Sequence, residues 1–295
     1  MDPAPDEIDL SAVARARERA AATYDDGAGL QREVADELLE RLAAVRVEPA
    51  RIVDLGCATG YAARRLQRMY RAAQVIGVEL APAMAARVPG RWRPGRRPAG
   101  VCADPRRLPL ADQSTDIVFS NLVLDRVPDV RALFAEVRRV LRPEGVLMFS
   151  TWGPDTLSEL RAAWAEVDDA VHVHTFLDMH DIGDAVLAAG LTDPVMDVDR
   201  VRRGYDDVRA LMRALKCVGA HNATAGRRRG LTPGGALRRV EAAYPHAGTA
   251  SGIAATWEIA YGHAWGATTP RPGSGTAQEF HVPIESIGRA RANAG

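Results

Sequence analysis

Short apolar runs and amphipathic stretches take turns along this chain. Residues 51–55 and 74–80 are too short for helices and suit strands buried on both faces, with the helical pattern of 61–70 between them. Upstream, 13–24 is alanine-rich and helix-favouring and ends at Asp25-Asp26-Gly27, while 30–45 sets Val34, Leu38, Leu39 and Leu42 on one helical face. Downstream come a strand pattern at 116–122, a helix at 130–141 with Arg142-Pro143-Glu144-Gly145 as its stop, and a strand at 146–151. A helix through Glu166, a helix at 179–189 stopped by Gly190, and strands at 194–201 and 256–265 complete the series. Strands alternating with helices predict an α/β fold, a doubly wound, mostly parallel sheet with extra N-terminal helices. The expected organisation is a disordered tail at 1–10, a core at 11–201, an insertion at 202–254, and a last strand, linker and tail at 255–295, with 268–275 as the linker. The insertion holds helices at 206–218 and 233–244 around a polar turn. It is placed to form a lid over the carboxyl ends of the strands, where ligands of open α/β sheets bind.

The first strand runs straight into a glycine turn, Arg51-Ile-Val-Asp-Leu-Gly-Cys-Ala-Thr-Gly60. Gly56 and Gly60 let the backbone turn sharply and approach a ligand with no Cβ in the way. Glu79 follows about 20 residues later at the end of the second strand, where a carboxylate can accept hydrogen bonds from ribose hydroxyls. Strand, turn, helix and acid together read as a nucleotide cradle. The loop lacks the G-x-G-x-x-G order that a dinucleotide pyrophosphate requires.

Composition narrows the setting. A chain of 295 residues with no net charge suits one main domain, with no bulk field to draw nucleic acid or a membrane. There is no run of about 18 apolar residues, and the start is unlike a signal peptide, so a soluble, cytoplasmic monomer is expected. Cys57, Cys102 and Cys217 are an odd number without metal spacing, which suits a reducing compartment. Lys216 is the only lysine, so runs of arginine partly reflect coding bias. His172, His174, His180 and Asp181 form a metal-like grouping without a Cys-x-x-Cys, and no metal is expected.

The order Asp54-Leu-Gly-Cys-Ala-Thr-Gly60 resembles the D-x-G-x-G-x-G motif of class I S-adenosylmethionine (SAM) methyltransferases, which implies a seven-stranded Rossmann-like sheet, with Ala58 replacing the middle glycine. The resemblance implies a SAM site in which Asp54, Gly56, Cys57, Ala58 and Gly60 hold the methionine end. Glu79 and Leu80 would hold the ribose and Asp104 and Pro105 the adenine, with Asn121 alongside; S-adenosylhomocysteine would be the product. In that superfamily the N-terminal helix closes over the cofactor, so Tyr24 either faces the reacting methyl group or packs the helix end. Leu211 to Leu231, with its His221-Asn-Ala-Thr-Ala-Gly-Arg227, is similar to the lid of the malonyl-[acyl-carrier protein] O-methyltransferases of biotin formation. So are Phe176-Leu-Asp-Met-His-Asp-Ile-Gly-Asp184, Pro194-Val-Met-Asp-Val198 and Val282-Pro-Ile-Glu-Ser-Ile-Gly288. The likeness runs from about Ala20 to the C-terminus. It implies methyl transfer from SAM to the free carboxylate of malonyl-acyl carrier protein, on the way to pimeloyl.

That chemistry needs no general base, because a malonyl carboxylate is already ionised at neutral pH. A cation must still select malonyl over acetyl, and Arg126, Arg203 and Arg227 are the candidates. His221 and Asn222 either orient the thioester and pantetheine amides or cap their own turn. An acidic carrier would dock on Arg213, Arg227, Arg228 and Arg229, with Arg238 and Arg239, unless these form only a solvated face. One departure stands out: the family's Gln-Trp after the fourth strand is Asp125-Arg126 here, beside the acceptor position. The alternatives are therefore another small carboxylate acceptor, a non-catalytic SAM-binding role, or kinship with the complex I assembly factors that hydroxylate arginine. The His221 to Arg227 pattern argues against the last. Asn121-Leu-Val-Leu124 is not the Asn/Asp-Pro-Pro-aromatic motif of amino-methylating nucleic-acid enzymes.

Overall fold

A computed structural model describes residues 7–89, 96–228, 230, 232–245 and 252–267. Three helices come first: α1 (Leu10–Ala20), α2 (Tyr24–Gly27) and α3 (Gly29–Ala43). Then follow β1 (Arg51–Leu55), α4 (Tyr61–Met69), β2 (Gln74–Glu79), α5 (Pro82–Ala85), β3 (Ala99–Cys102) and β4 (Thr115–Asn121). After a 3-10 turn at Leu124–Arg126 come α6 (Val130–Val140), β5 (Leu141–Trp152), α7 (Ser158–Ala165), α8 (Met179–Ala188) and β6 (Leu191–Tyr205). The insertion carries α9 (Val208–Cys217) and α10 (Gly234–Ala243), and β7 (Ile253–Gly266) closes the series.

The strands form the expected seven-stranded sheet, in the order β3-β2-β1-β4-β5-β7-β6. β1 to β5 pair in parallel, and β7 runs antiparallel to both β5 and β6. Successive strands are added outward in one direction from β1 to β3 and in the other from β4 onward, and this switch between β1 and β4 opens a crevice outside their carboxyl ends. The period of two along each strand divides the core: Ile52, Ile117 and Phe119 pack with Leu38, Leu42 and Leu66 of α3 and α4. Val53, Leu55, Val118 and Phe149 face the other way, onto Phe134 and Val137 of α6 and Ile182 and Val186 of α8.

Three boundaries depart from the expected ones. The 7–10 segment is not a loose tail: Ile8 bridges Thr224, Asp9 N–H donates to the Ala223 carbonyl at 2.7 Å, and Ala225 N–H donates to the Glu7 carbonyl at 2.8 Å. The Asp9 carboxylate also caps α1 by accepting from Ala12 N–H at 3.0 Å, which starts that helix earlier than the alanine pattern did. β6 continues past 201 to Tyr205, because the long strand β7 pairs with it through Tyr205↔Ile253; the insertion thus begins at Asp206. Leu141 pairs with Thr115, so the segment read as a helix stop is already part of β5. The linker at 268–275, the 282–288 segment and Arg229 lie outside the described residues. Among the described residues no helix is long and apolar enough to cross a membrane.

Gly262 of β7 lies directly opposite Phe149 of β5, and a Cβ there would stand 2.4 Å from the ring. Gly262→Ala should therefore destabilise the fold by ~1–3 kcal/mol through forced repacking. Gly204→Ala, in open space on β6, serves as the control. Thermal unfolding of the two variants checks this, and equal melting temperatures would refute it.

Candidate functional site

The glycine turn after β1 folds back over β2. Gly56 and Cys57 N–H groups both donate to the Val78 carbonyl, at 2.8 and 3.0 Å. Gly56 has φ +69°, and a Cβ there would meet Val123 at 2.2 Å, so only glycine fits. Ala58, in the position of the missing glycine, takes the same left-handed region at φ 47°. Its N–H donates to Glu79 Oε2 at 2.9 Å, while Glu79 Oε1 accepts from Leu80 and Ala81 N–H at 2.9 and 3.2 Å. The acid at the end of β2 thus fixes both its own turn and the glycine loop. Thr59 donates to Asp25 of α2 at 2.7 Å, which clips the N-terminal helices onto the same loop.

Asp54 leaves β1 with its side chain in the interior, 1% exposed, and its Oδ2 has no partner among the described residues. Burial first, with the Glu79 charge adding to it, pushes its carboxyl up to about 7. A buried carboxylate with an unused oxygen fits a ligand that brings a cation. Burial also pushes the Cys57 thiol well up, so it lines the loop as an inert group.

The cleft runs over these strand ends. Its roof is Leu10, Val13, Arg17 and Tyr24 from the N-terminal helices and Val218, Gly219 and Ala220 from the end of α9. Its floor includes Gly56, Glu79, Leu80, Ala103 and Pro105, and its far wall Asn121, Val123, Arg126 and Trp152. Of the insertion, α9 and the turn after it reach the site; α10 packs against α7 instead. A second, adjoining cavity is walled by Trp152, Phe176, Trp257, His174, His221 and Asn222. Arg126 lines both.

Tyr24 faces the cleft, and burial pushes its hydroxyl up against the pull of Arg17, whose guanidinium lies 5.0 Å from the ring centroid. Arg17 is a site residue the sequence reading missed. Its Nη1 donates to the Val218 carbonyl at 3.2 Å and its Nη2 lies 3.6 Å from Glu79. The signal was there: Arg17 falls four residues after Val13 and three before Ala20, on the buried stripe of α1. Gln31, three residues before Val34, is a second omission of the same kind.

The remaining candidates separate. Asn121 is in the wall, held by donating to the Gln31 carbonyl at 3.0 Å and accepting from Ser150 at 2.8 Å. Asp104 turns its carboxylate to Arg106, at 2.8 and 3.1 Å, and only its neighbours Ala103 and Pro105 line the cleft. Arg203 sits on the edge strand β6, paired with Glu33, and lines neither cavity. Arg227 is drawn inward, to Asp9 at 2.8 Å and the Thr224 carbonyl at 2.7 Å, and so fastens the 7–9 segment. Arg213 is 69% exposed and Arg228 lies 3.6 Å from Asp168. Asn222 accepts from Thr224 N–H at 2.9 Å and donates to the Val171 carbonyl at 2.5 Å, capping its own turn. The His221 carbonyl accepts from Arg126 Nη1 at 2.9 Å, and burial lowers the pKa of its ring. His172 stacks on Trp164 and pairs with Asp168 at 2.7 Å; among the described residues no group of side chains could hold a metal ion.

Residues 53–149 match a family model described as "Methyltransferase domain". A protein of Halorhodospira halophila named "Malonyl-[acyl-carrier protein] O-methyltransferase" is 50% identical over 287 residues, covering 96% of this chain and 97% of its own. One of the same name from Laribacter hongkongensis is 52% identical over 265 residues, covering 87% and 89%. Among solved structures, the YcgJ protein of Bacillus subtilis superposes with a TM-score of 0.58 at 17% identity, over 80% of this chain and 99% of that one. A putative methyltransferase of Bacillus halodurans gives 0.53 at 15% identity, over 79% and 99%. The two structures share the fold.

Because Asp54 is raised from 3.8 to about 7 on folding, its contribution to stability is full in acid and is lost as pH rises through that window. Asp54→Asn should therefore stabilise the ligand-free chain at pH 8 by roughly 2–4 kcal/mol, with a smaller gain at pH 5. Melting temperatures at the two pH values decide it, and an equal difference at both would refute the assignment.

Proposed function

The chain belongs to the malonyl-[acyl-carrier protein] O-methyltransferases, and from that membership we propose how its own cleft moves a methyl group from SAM to the malonyl carboxylate of an acyl carrier protein. SAM supplies an electrophilic methyl on a sulfonium; the carboxylate oxygen forms the new C–O bond as the S–C pair returns to sulfur, leaving the methyl ester and S-adenosylhomocysteine. The residues fit that donor. Asp54, with its unused buried oxygen, would take the ammonium of the methionine end, and Glu79 the ribose hydroxyls. Leu80, Ala103 and Pro105 would flank the adenine, since Asp104 already shares its carboxylate with Arg106. Arg17 stands beside Glu79 and would shift to admit the sugar.

The observation that carries the acceptor assignment is Arg126 at the junction of the two cavities. A guanidinium there can hold a carboxylate next to the donor's methyl while the thioester extends into the aromatic chamber. Tyr24 and Trp152 help keep water out, which favours a transition state that loses charge. His221 positions Arg126 through its carbonyl, and Asn222 shapes the turn that carries it. We place carrier docking on the exposed Arg213 and Arg228 rather than on Arg227, which is committed to Asp9. The three free cysteines suit the cytoplasm proposed for it.

Purified chain with SAM should release S-adenosylhomocysteine with malonyl-carrier protein and not with acetyl- or succinyl-carrier protein. Arg126→Ala should lower kcat/KM by about 100-fold, in line with losing a charge-assisted contact of ~3 kcal/mol, whereas Arg203→Ala should leave it unchanged. Equal losses in both would remove Arg126 from its role. Arg213→Glu should raise KM for malonyl-carrier protein more than for malonyl-CoA, and parallel increases would argue against docking there.

A further inference from the structure

We propose that Asp125 is a positioning residue for the acceptor, clamping one edge of Arg126 and thinning its charge so that the malonyl carboxylate is held loosely enough to react. The inference rests on the methyl-transfer reading above.

Asp125 and Arg126 lie in the 3-10 turn that follows β4. The Asp125 side chain is 2% exposed, and its Oδ2 stands 2.7 Å from Arg126 Nε in an ionic contact. Arg126 Nη1 is taken by the His221 carbonyl at 2.9 Å. Nη1 is thus hydrogen-bonded and Nε sits in an ion pair without hydrogen-bond geometry, since neither Asp125 oxygen has a hydrogen-bond partner among the described residues; Nη2 makes no hydrogen bond among them. The fork that could grip a carboxylate at two points is reduced to one open end. On the far side of Asp125, His174 Nε2 approaches Oδ2 to 3.8 Å, too far for a hydrogen bond, and has no other partner among the described residues. Burial works against ionising Asp125, but Arg126, with His174 and Arg17, holds its carboxyl below the usual range. The buried pair is therefore Asp125⁻ with Arg126⁺, neutral as a unit.

The consequence follows from charge. In the reaction the acceptor carboxylate goes from a full negative charge to a neutral ester. A bare guanidinium in a dry pocket would hold the starting carboxylate more strongly than the transition state, which lowers KM and kcat together. Asp125 turns that cation into a dipole. Recognition of the carboxylate survives through Nη2, and the attacking oxygen keeps its lone pair available.

Steady-state kinetics with malonyl-carrier protein test this. Asp125→Asn should lower KM by about tenfold and kcat by about threefold, a rise of ~0.7 kcal/mol in the barrier from the bound state with no fall in kcat/KM. Asp125→Glu, which keeps the charge, should return both to within about twofold of the parent. Affinity for SAM should not move in either. Asp125→Gln supplies a second uncharged side chain should the asparagine variant fold poorly, and it must show the same split. An uncharged variant that raises KM, or changes neither constant, overturns the role of Asp125. A parent chain that does not methylate malonyl-carrier protein overturns the underlying reading instead, and this proposal with it.

Discussion

The buried carboxylate of Glu79 is the contact on which the site's geometry depends. It accepts from the backbone of Ala58, Leu80 and Ala81 and stands beside the guanidinium of Arg17. Those four contacts join the glycine loop, the turn after β2 and the roof helix α1 at one point. A carboxylate can do this where an amide could not, because it offers only acceptors and every neighbour is a donor. The sheet supplies the strand ends, but Glu79 decides where the loop between them lies.

Charges in the cleft come in matched pairs. Arg17 stands against Glu79 and Arg126 against Asp125, and all four are substantially removed from water. Single buried charges are costly, and pairing is what allows them to persist. The reacting partners are also a matched pair, a sulfonium and a carboxylate. These two pairs carry no net charge between them, so, Asp54 apart, they favour neither reacting partner over the other.

How much of this could be read from the sequence divides by distance along the chain. The strand-turn-helix at 51–70 and the acid at Glu79 were legible because local spacing alone fixes them. The α/β class, the insertion and its two helices followed from alternation and from the turn residues, whereas the strand order and the short edge strand β3 did not. What stayed hidden is set by contacts between distant segments. Nothing near Arg227 signals that Asp9 captures it, and nothing near Asp104 rules on whether its carboxylate goes to Arg106 or to a ligand. Arg203 looked available because β6 seemed to end before it, whereas pairing with β7 carries the strand past that point. Arg17 was overlooked for a different reason: in an arginine-rich chain, an arginine on an apolar stripe does not stand out.

The roof of the cleft is stitched from segments more than 200 residues apart, with 7–9 laid against 223–225 and fastened by Asp9 and Arg227. Among the described residues two backbone hydrogen bonds and one ion pair hold that seam, while the sheet beneath is continuous from β3 to β6. Such a seam is a unit of local unfolding with a free energy well below that of the whole fold. Amide protons in it should exchange with solvent ahead of those in the strands. Losing that patch would uncover the cleft without breaking any strand pairing, so its floor would keep its shape.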